Sequence, residues 1–193
     1  MKNIRLLSAI ICLFACLSSC DHSEPRSLYF IGDSIIARWD IDNFISGYAV
    51  HNDGKSGAGF DYLKTFGSSM KGRTVVVMIG TNDMGTELED AKVKKMAEEY
   101  VDDIVGLEAE RVYLYSVLPR DFASDFEGKN DMIKLFNTYV EQLVNTYPEI
   151  IYINVFNDFL LSDGNIDRDL YTDRLHLSPS GYEILSKALL KRL

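Results

Sequence analysis

The chain repeats one alternation of apolar patterns along most of its length. Short continuous apolar runs mark buried strands, and apolar residues recurring three and four apart mark one face of a helix. Leu28-Tyr-Phe-Ile31 reads as a buried strand, Ile35 to Phe44 as a short helix, and Tyr48-Ala-Val50 as a weak second strand. Phe60 to Met70 is predicted to be helical. Thr74-Val-Val-Val-Met-Ile79 is the clearest buried strand, continuous and β-branched. Leu88 to Glu108 is the clearest helix, with Val93, Met96, Ala97, Tyr100, Val101, Ile104 and Val105 at helical spacing between charges. A strand over Arg111 to Val117, a helix over Asp131 to Tyr147 and a strand over Ile150 to Val155 follow. Ser178 to Leu193 closes as a helix, with Ser178 as N-cap and Pro179 in the first helical position.

Strands that alternate with helices imply right-handed crossovers and a parallel sheet covered on both faces, an α/β fold. Such sheets bind ligands at the carboxyl ends of their strands. A site is therefore expected at Ser34 after the first strand, Asn52 to Gly54 after the second, Gly80 to Asp83 after the third and Pro119-Arg120 after the fourth. No internal repeat, low-complexity tract or linker divides the chain.

The first residues break this pattern. Lys2 and Arg5 precede an apolar stretch, Leu6 to Leu17, that is too short to span a bilayer and ends in Leu17-Ser18-Ser19-Cys20. This reads as a lipoprotein leader over residues 1–19, cleaved before a lipidated Cys20, then a polar tether over residues 20–26 and a single domain over residues 27–193. An ordinary signal peptide with a chance cysteine is the plainer alternative. Cys12, Cys16 and Cys20 are the chain's 3 cysteines, so a mature domain would have no disulfide, no thiol nucleophile and no Cys-ligated zinc. Loss of the leader lowers the basic residues from 20 to 18 against 29 acidic ones, a net charge of −11. That argues against nucleic acid as a partner and against adhesion to anionic lipid, leaving Cys20 as the only expected membrane contact.

The candidate chemistry lies in the loops. Ser34, in Ile31-Gly32-Asp33-Ser34, sits at a strand-to-helix turn where its oxygen would be presented at the sheet edge, near the positive end of the next helix. As a blander alternative, Asp33 and Ser34 simply cap that helix. Gly54, in Asn52-Asp53-Gly54, is either a turn residue or a backbone N–H that approaches a reacting carbonyl oxygen. Asn82, in Gly80-Thr81-Asn82-Asp83, either caps the next element or donates its amide to an oxyanion. Asp173 and His176 are three apart, a spacing that lets a carboxylate orient an imidazole. His51 is the competing base, and His22 falls in the tether. Each piece alone is weak. Together they occupy four loops at one end of the sheet, in the order nucleophile, two oxyanion donors, then carboxylate and base.

On these residues the chain resembles the SGNH hydrolases, the GDSL-type esterases and lipases. Gly32-Asp33-Ser34, Gly54 within Asn52-Asp-Gly-Lys-Ser-Gly57, Gly80-Thr-Asn-Asp83 and Asp173-Arg-Leu-His176 correspond to the family's four marker blocks. Arg174 departs from the glycine usual after the last block's aspartate, and Leu118-Pro119-Arg120 resembles a segment common in the family's small esterases. The resemblance runs from about Leu28 to Leu193. It implies a three-layer α/β/α, flavodoxin-like fold with a five-stranded parallel sheet, and ester hydrolysis through an acyl-enzyme.

In that scheme Ser34 attacks, His176 is base and then acid, Asp173 orients it, and the Ser34 N–H, Gly54 N–H and Asn82 side chain hold the oxyanion. Neither a metal nor another cofactor is implied. The expected protein is an exported bacterial lipoprotein, periplasmic or at the cell surface, that takes short acyl groups off a small-molecule or glycan ester. A lysophospholipase or thioesterase would need an apolar trough, to which Trp39, Phe60, Tyr62 and Phe122 could contribute. A non-catalytic glycan-binding surface protein is the alternative from another class.

Overall fold

The structure, a computed structural model, describes residues 26–85, 89–121 and 129–193. Cys12, Cys16, Cys20, His22 and Phe122 lie outside the described residues.

Five strands form one parallel sheet: β1 (Ser27–Gly32), β2 (Ala49–Gly54), β3 (Thr74–Met78), β4 (Arg111–Tyr115) and β5 (Ile150–Ile153). Their order across the sheet is β2-β1-β3-β4-β5, and every neighbouring pair is parallel. The central β3 shows why the sheet needs cover on both sides. Val75 and Val77 belong to one apolar cluster and Val76 and Met78 to the other, as the two-residue side-chain period requires.

The helices are α1 (Ser34–Ala37), α2 (Ile41–Phe44), α3 (Asp61–Lys64), α4 (Asp90–Val105), α5 (Lys129–Val144) and α6 (Pro179–Leu190). Val93, Ala97, Tyr100, Val101 and Ile104 of α4 and Ile133, Phe136, Val140 and Val144 of α5 fill the first cluster. Leu185 and Leu189 of α6, with Ile35 and Ile36 of α1 and Trp39 just after it, fill the second. This is the three-layer α/β/α arrangement, and its carboxyl edge gathers the loops after β1 to β4.

Three expected elements come out differently. The helix expected over Ile35 to Phe44 is split into α1 and α2. The Asn52 amide donates to the Ile36 and Trp39 carbonyls, at 3.0 and 3.4 Å, which a continuing helix would have claimed. The second strand runs on to Gly54 rather than stopping at Val50, because an edge strand pairs through its backbone and can keep polar side chains in water. Asn52 to Gly54 thus belong to the strand itself. The helix expected over Phe60 to Met70 is one α-turn, α3, followed by a 3₁₀ turn at Gly67–Met70.

Candidate active site

Ser34 is the first residue of α1. Asp33 caps it: the Asp33 side chain accepts the Ile35 N–H at 2.9 Å, and its own N–H donates to the Met78 carbonyl at 3.3 Å. The turn that carries Ser34 is thereby tied to the central strand. Ser34 is only 5% exposed. At four residues, α1 is a single turn, so its macrodipole offers little of the field expected from the sequence. Asp33 is itself buried, and burial pushes its carboxyl up from 3.8 to about 6. On the far side of α1, the Tyr182 hydroxyl donates to the Ile35 carbonyl at 2.9 Å.

Across the rim, His176 Nε2 lies 3.0 Å from Ser34 Oγ, although 142 positions separate the two residues. His176 Nδ1 lies 2.7 Å from Asp173 Oδ2, and Asp173 Oδ1 accepts the backbone N–H groups of Leu175 and His176, each at 2.7 Å. Those bonds, led by the His176 backbone N–H and then its ring, hold the Asp173 carboxyl well below the usual carboxylate range. An ionised Asp173 can only accept, so Nδ1 carries the proton and Nε2 is left to accept from Ser34. The loop that carries Asp173 and His176 is closed by the Thr172 N–H and hydroxyl, both on the His176 carbonyl at 2.8 and 3.1 Å, and by a bridge between Tyr171 and Leu177.

Asn82 lies in the turn after β3. Its amide donates to the Ala58 carbonyl at 2.8 Å, which fixes its orientation and leaves its second N–H for another acceptor. The neighbouring Asp83 accepts the Phe60 N–H on both carboxylate oxygens, each at 3.1 Å. The loops after β2 and β3 are thus stitched together.

Gly54 does not sit as the sequence suggested. Its N–H is donated to Asn52 Oδ1 at 2.9 Å, two residues back at the end of β2, and so does not point at a reacting oxygen. The glycine that the sequence reading passed over is Gly57. It occupies the left-handed region at φ 78° in the Lys55–Ala58 turn, closed by the Ala58 N–H on the Lys55 carbonyl at 3.0 Å. Its N–H has no hydrogen bond among the described residues, and the next residue is the one that receives Asn82. A Lys-Ser-Gly turn just beyond a strand end was the signal available.

His51, the competing base, is far from this chemistry. It is the cross-strand neighbour of Tyr29, and the two rings stack at 4.3 Å with 9° between their planes. Trp39 is in the core at 3% exposed, and Phe60 packs on Tyr100 and Phe136. A cavity of about 560 Å³ lies at the opposite, amino edge of the sheet, lined by Arg26, Tyr29, Arg73 and Arg111 among others, and takes no part in the site. Among the described residues, no cluster of three or more His, Asp or Glu is arranged to hold a metal.

Several known structures share this fold. The fold is similar to that of a candidate platelet activating factor from Streptococcus pneumonia, with TM-score 0.71 and 24% identity over 90% of this chain and 86% of that one. It is similar to a GDSL-like lipase from Bacteroides thetaiotaomicron, with TM-score 0.67 and 19% identity over 87% of each chain. It is also similar to an acetylxylan esterase from Geobacillus stearothermophilus, with TM-score 0.64 and 20% identity over 86% of this chain and 93% of that one. No curated protein matches the chain. Residues 30–184 match the GDSL-like Lipase/Acylhydrolase family, and with that match the chain belongs to this family of ester-hydrolysing enzymes.

Proposed function

We propose that the protein is a serine esterase that removes short acyl groups, acetyl above all, from carbohydrate. One observation carries the chemistry: Ser34 Oγ, the His176 ring and the Asp173 carboxylate form a continuous hydrogen-bonded chain of 3.0 and 2.7 Å. Ser34 Oγ forms a bond to the ester carbonyl carbon as its proton passes to His176 Nε2. Asp173 stabilises the resulting imidazolium. The tetrahedral oxyanion is held by the second N–H of Asn82 and by the backbone N–H groups of Ser34 and Gly57. As the C–O bond to the alcohol breaks, His176 returns the proton to the leaving oxygen. Water, deprotonated by the same nitrogen, then releases the acid and restores Ser34.

Two features support a short acyl group. Two of the aromatic residues that could have lined a lipid trough, Trp39 and Phe60, are engaged in the core. Among the similar structures is an acetylxylan esterase. The anchor belongs to the same proposal: Cys20 is lipidated after export, and the tether delivers the domain to the bacterial envelope. Arg26 and Ser27 enter at the amino edge of the sheet, and the six residues of β1 carry the chain about 20 Å to the edge that holds Ser34.

The test compares the soluble domain with a Ser34→Ala variant on aryl acetate, long-chain aryl esters and acetylated oligosaccharides. Loss of acetate release in the variant, with acetyl preferred over long acyl chains, is expected. Equal rates in both proteins would favour a glycan-binding role, and preference for long chains a lysophospholipase. For the anchor, fatty-acid labelling should vanish in Cys20→Ala.

A further inference from the structure

The base and the oxyanion donor stand on different loops, and the segment after β4 joins them. On one side, the Pro119 carbonyl accepts the Tyr171 hydroxyl at 2.7 Å and the Asp121 N–H donates to the Arg174 carbonyl at 3.2 Å. Both partners belong to the loop that carries Asp173 and His176. On the other side, Arg120 Nη1 donates to the Thr81 carbonyl at 3.1 Å. That carbonyl belongs to the peptide unit that leads into Asn82, so its position sets where the Asn82 amide starts.

The segment itself is unusually fixed. Two asparagines of α5, seven positions apart and so on nearly the same face, each grip one residue of it by both backbone groups. Asn137 accepts the Val117 N–H at 2.9 Å and donates to the Val117 carbonyl at 2.8 Å. Asn130 accepts the Arg120 N–H at 3.0 Å and donates to the Arg120 carbonyl at 3.0 Å. The guanidinium is half-buried and feels the charges of both Asp33 and Asp173. With its backbone held at both groups, Arg120 has only its side chain left to order when the guanidinium holds Thr81 in place.

We propose that Arg120 is a positioning residue for ester hydrolysis: by holding the Thr81 carbonyl it fixes the Asn82 amide where the oxyanion forms, in register with the His176 loop. The inference rests on the reading of Asn82 as an oxyanion donor and Ser34 as nucleophile. Its effect therefore falls on the transition state rather than on substrate binding, because the donor matters most when charge develops on the carbonyl oxygen.

The experiment is steady-state hydrolysis of aryl acetate by wild type, Arg120→Ala, Arg120→Lys, Asn82→Ala, the Arg120→Ala/Asn82→Ala pair and Ser34→Ala. A displacement of the donor by a fraction of an ångström to one ångström should lower kcat about 10- to 100-fold in Arg120→Ala, with KM nearly unchanged. Arg120→Lys should recover part of the loss, and millimolar guanidinium should restore part of it to Arg120→Ala but none to Asn82→Ala. Since Arg120 acts through Asn82, the losses should not add, and Arg120→Ala should cost little once Asn82 is gone. Thermal unfolding of each variant separates a misfolded protein from a displaced donor. Additive losses, or a rise in KM with kcat intact, would overturn the inference and make Arg120 a substrate-binding residue or a plain structural one. Full activity in Ser34→Ala would instead defeat the esterase reading beneath it.

Discussion

Gly54→Ala tests whether the nucleophile is held by close packing. A methyl at Gly54 would sit 2.2 Å from Ala37 N, 2.6 Å from Ala37 Cα and 2.7 Å from the Ile36 carbonyl carbon. Comfortable non-bonded separations are about 3.5–4 Å, so α1 must retreat by about 1 Å or the end of β2 must peel away. The obstructing atoms are backbone, so no side-chain rotation relieves the clash. Overpacking of this kind costs about 1–3 kcal/mol. The larger consequence is catalytic. α1 carries Ser34 and is pinned by the Tyr182 hydroxyl on Ile35 and by Asp33 on Met78, so a forced shift stretches the 3.0 Å contact between Ser34 and His176. A misplacement of about 1 Å costs on the order of 100-fold in rate. Urea unfolding and aryl acetate hydrolysis should therefore show both losses together. Gly47→Ala is the comparison: at φ 85°, with no part in the site, an added methyl meets nothing within 4 Å, so the cost is about 1–2 kcal/mol of backbone strain with a much smaller loss of rate. Wild-type stability and turnover in Gly54→Ala would refute the idea that α1 is pressed against this glycine.

Asp173→Asn should keep the fold and lower kcat by about 10³- to 10⁴-fold, because an amide can hold the ring in the wrong tautomer; stopped assays at high enzyme concentration would read it. Asp33→Asn should flatten the dependence of stability on pH. The folded carboxyl, at about 6, lies above its ordinary 3.8, so folding takes up a proton. The stability contributed by Asp33 is then complete below pH 3.8 and lost as pH rises through 6. The loss amounts to about 3 kcal/mol, and Asp83 and Arg120, the charged groups that interact with it, modify that figure. Urea titrations at pH 4 and pH 7 that gave both proteins the same difference would contradict this. Asn137→Ala should destabilise by about 2–5 kcal/mol, since it strands the buried N–H and carbonyl of Val117; calorimetry checks it.

The strands were legible because their apolar runs are continuous: β3 falls inside the expected Thr74 to Ile79 and β5 inside Ile150 to Val155. The long helices were legible because Val93 to Ile104 and Ile133 to Val140 keep a helical period. The helix over Ile35 to Phe44 was misjudged for a reason that local pattern cannot contain. Its break depends on an amide from Asn52, brought alongside only when β2 pairs with β1.

The same division holds at the site. Ser34, Asn82, Asp173 and His176 could be picked out because each lies in a short motif of recognisable residue types beside a strand or helix end. The stacking of His51 on Tyr29 and the diversion of the Gly54 N–H onto Asn52 left no such mark.

What the sequence determined by itself is the α/β class, the central strands and long helices, and the turns that carry Ser34, Asn82, Asp173 and His176, because those follow from periodicity and residue type over a few positions. What the tertiary structure decided is the strand order β2-β1-β3-β4-β5 and which loop atoms meet across it. Hydrogen bonds between residues 39 to 142 positions apart depend on the packed arrangement of the whole sheet, and no stretch of chain encodes that arrangement alone.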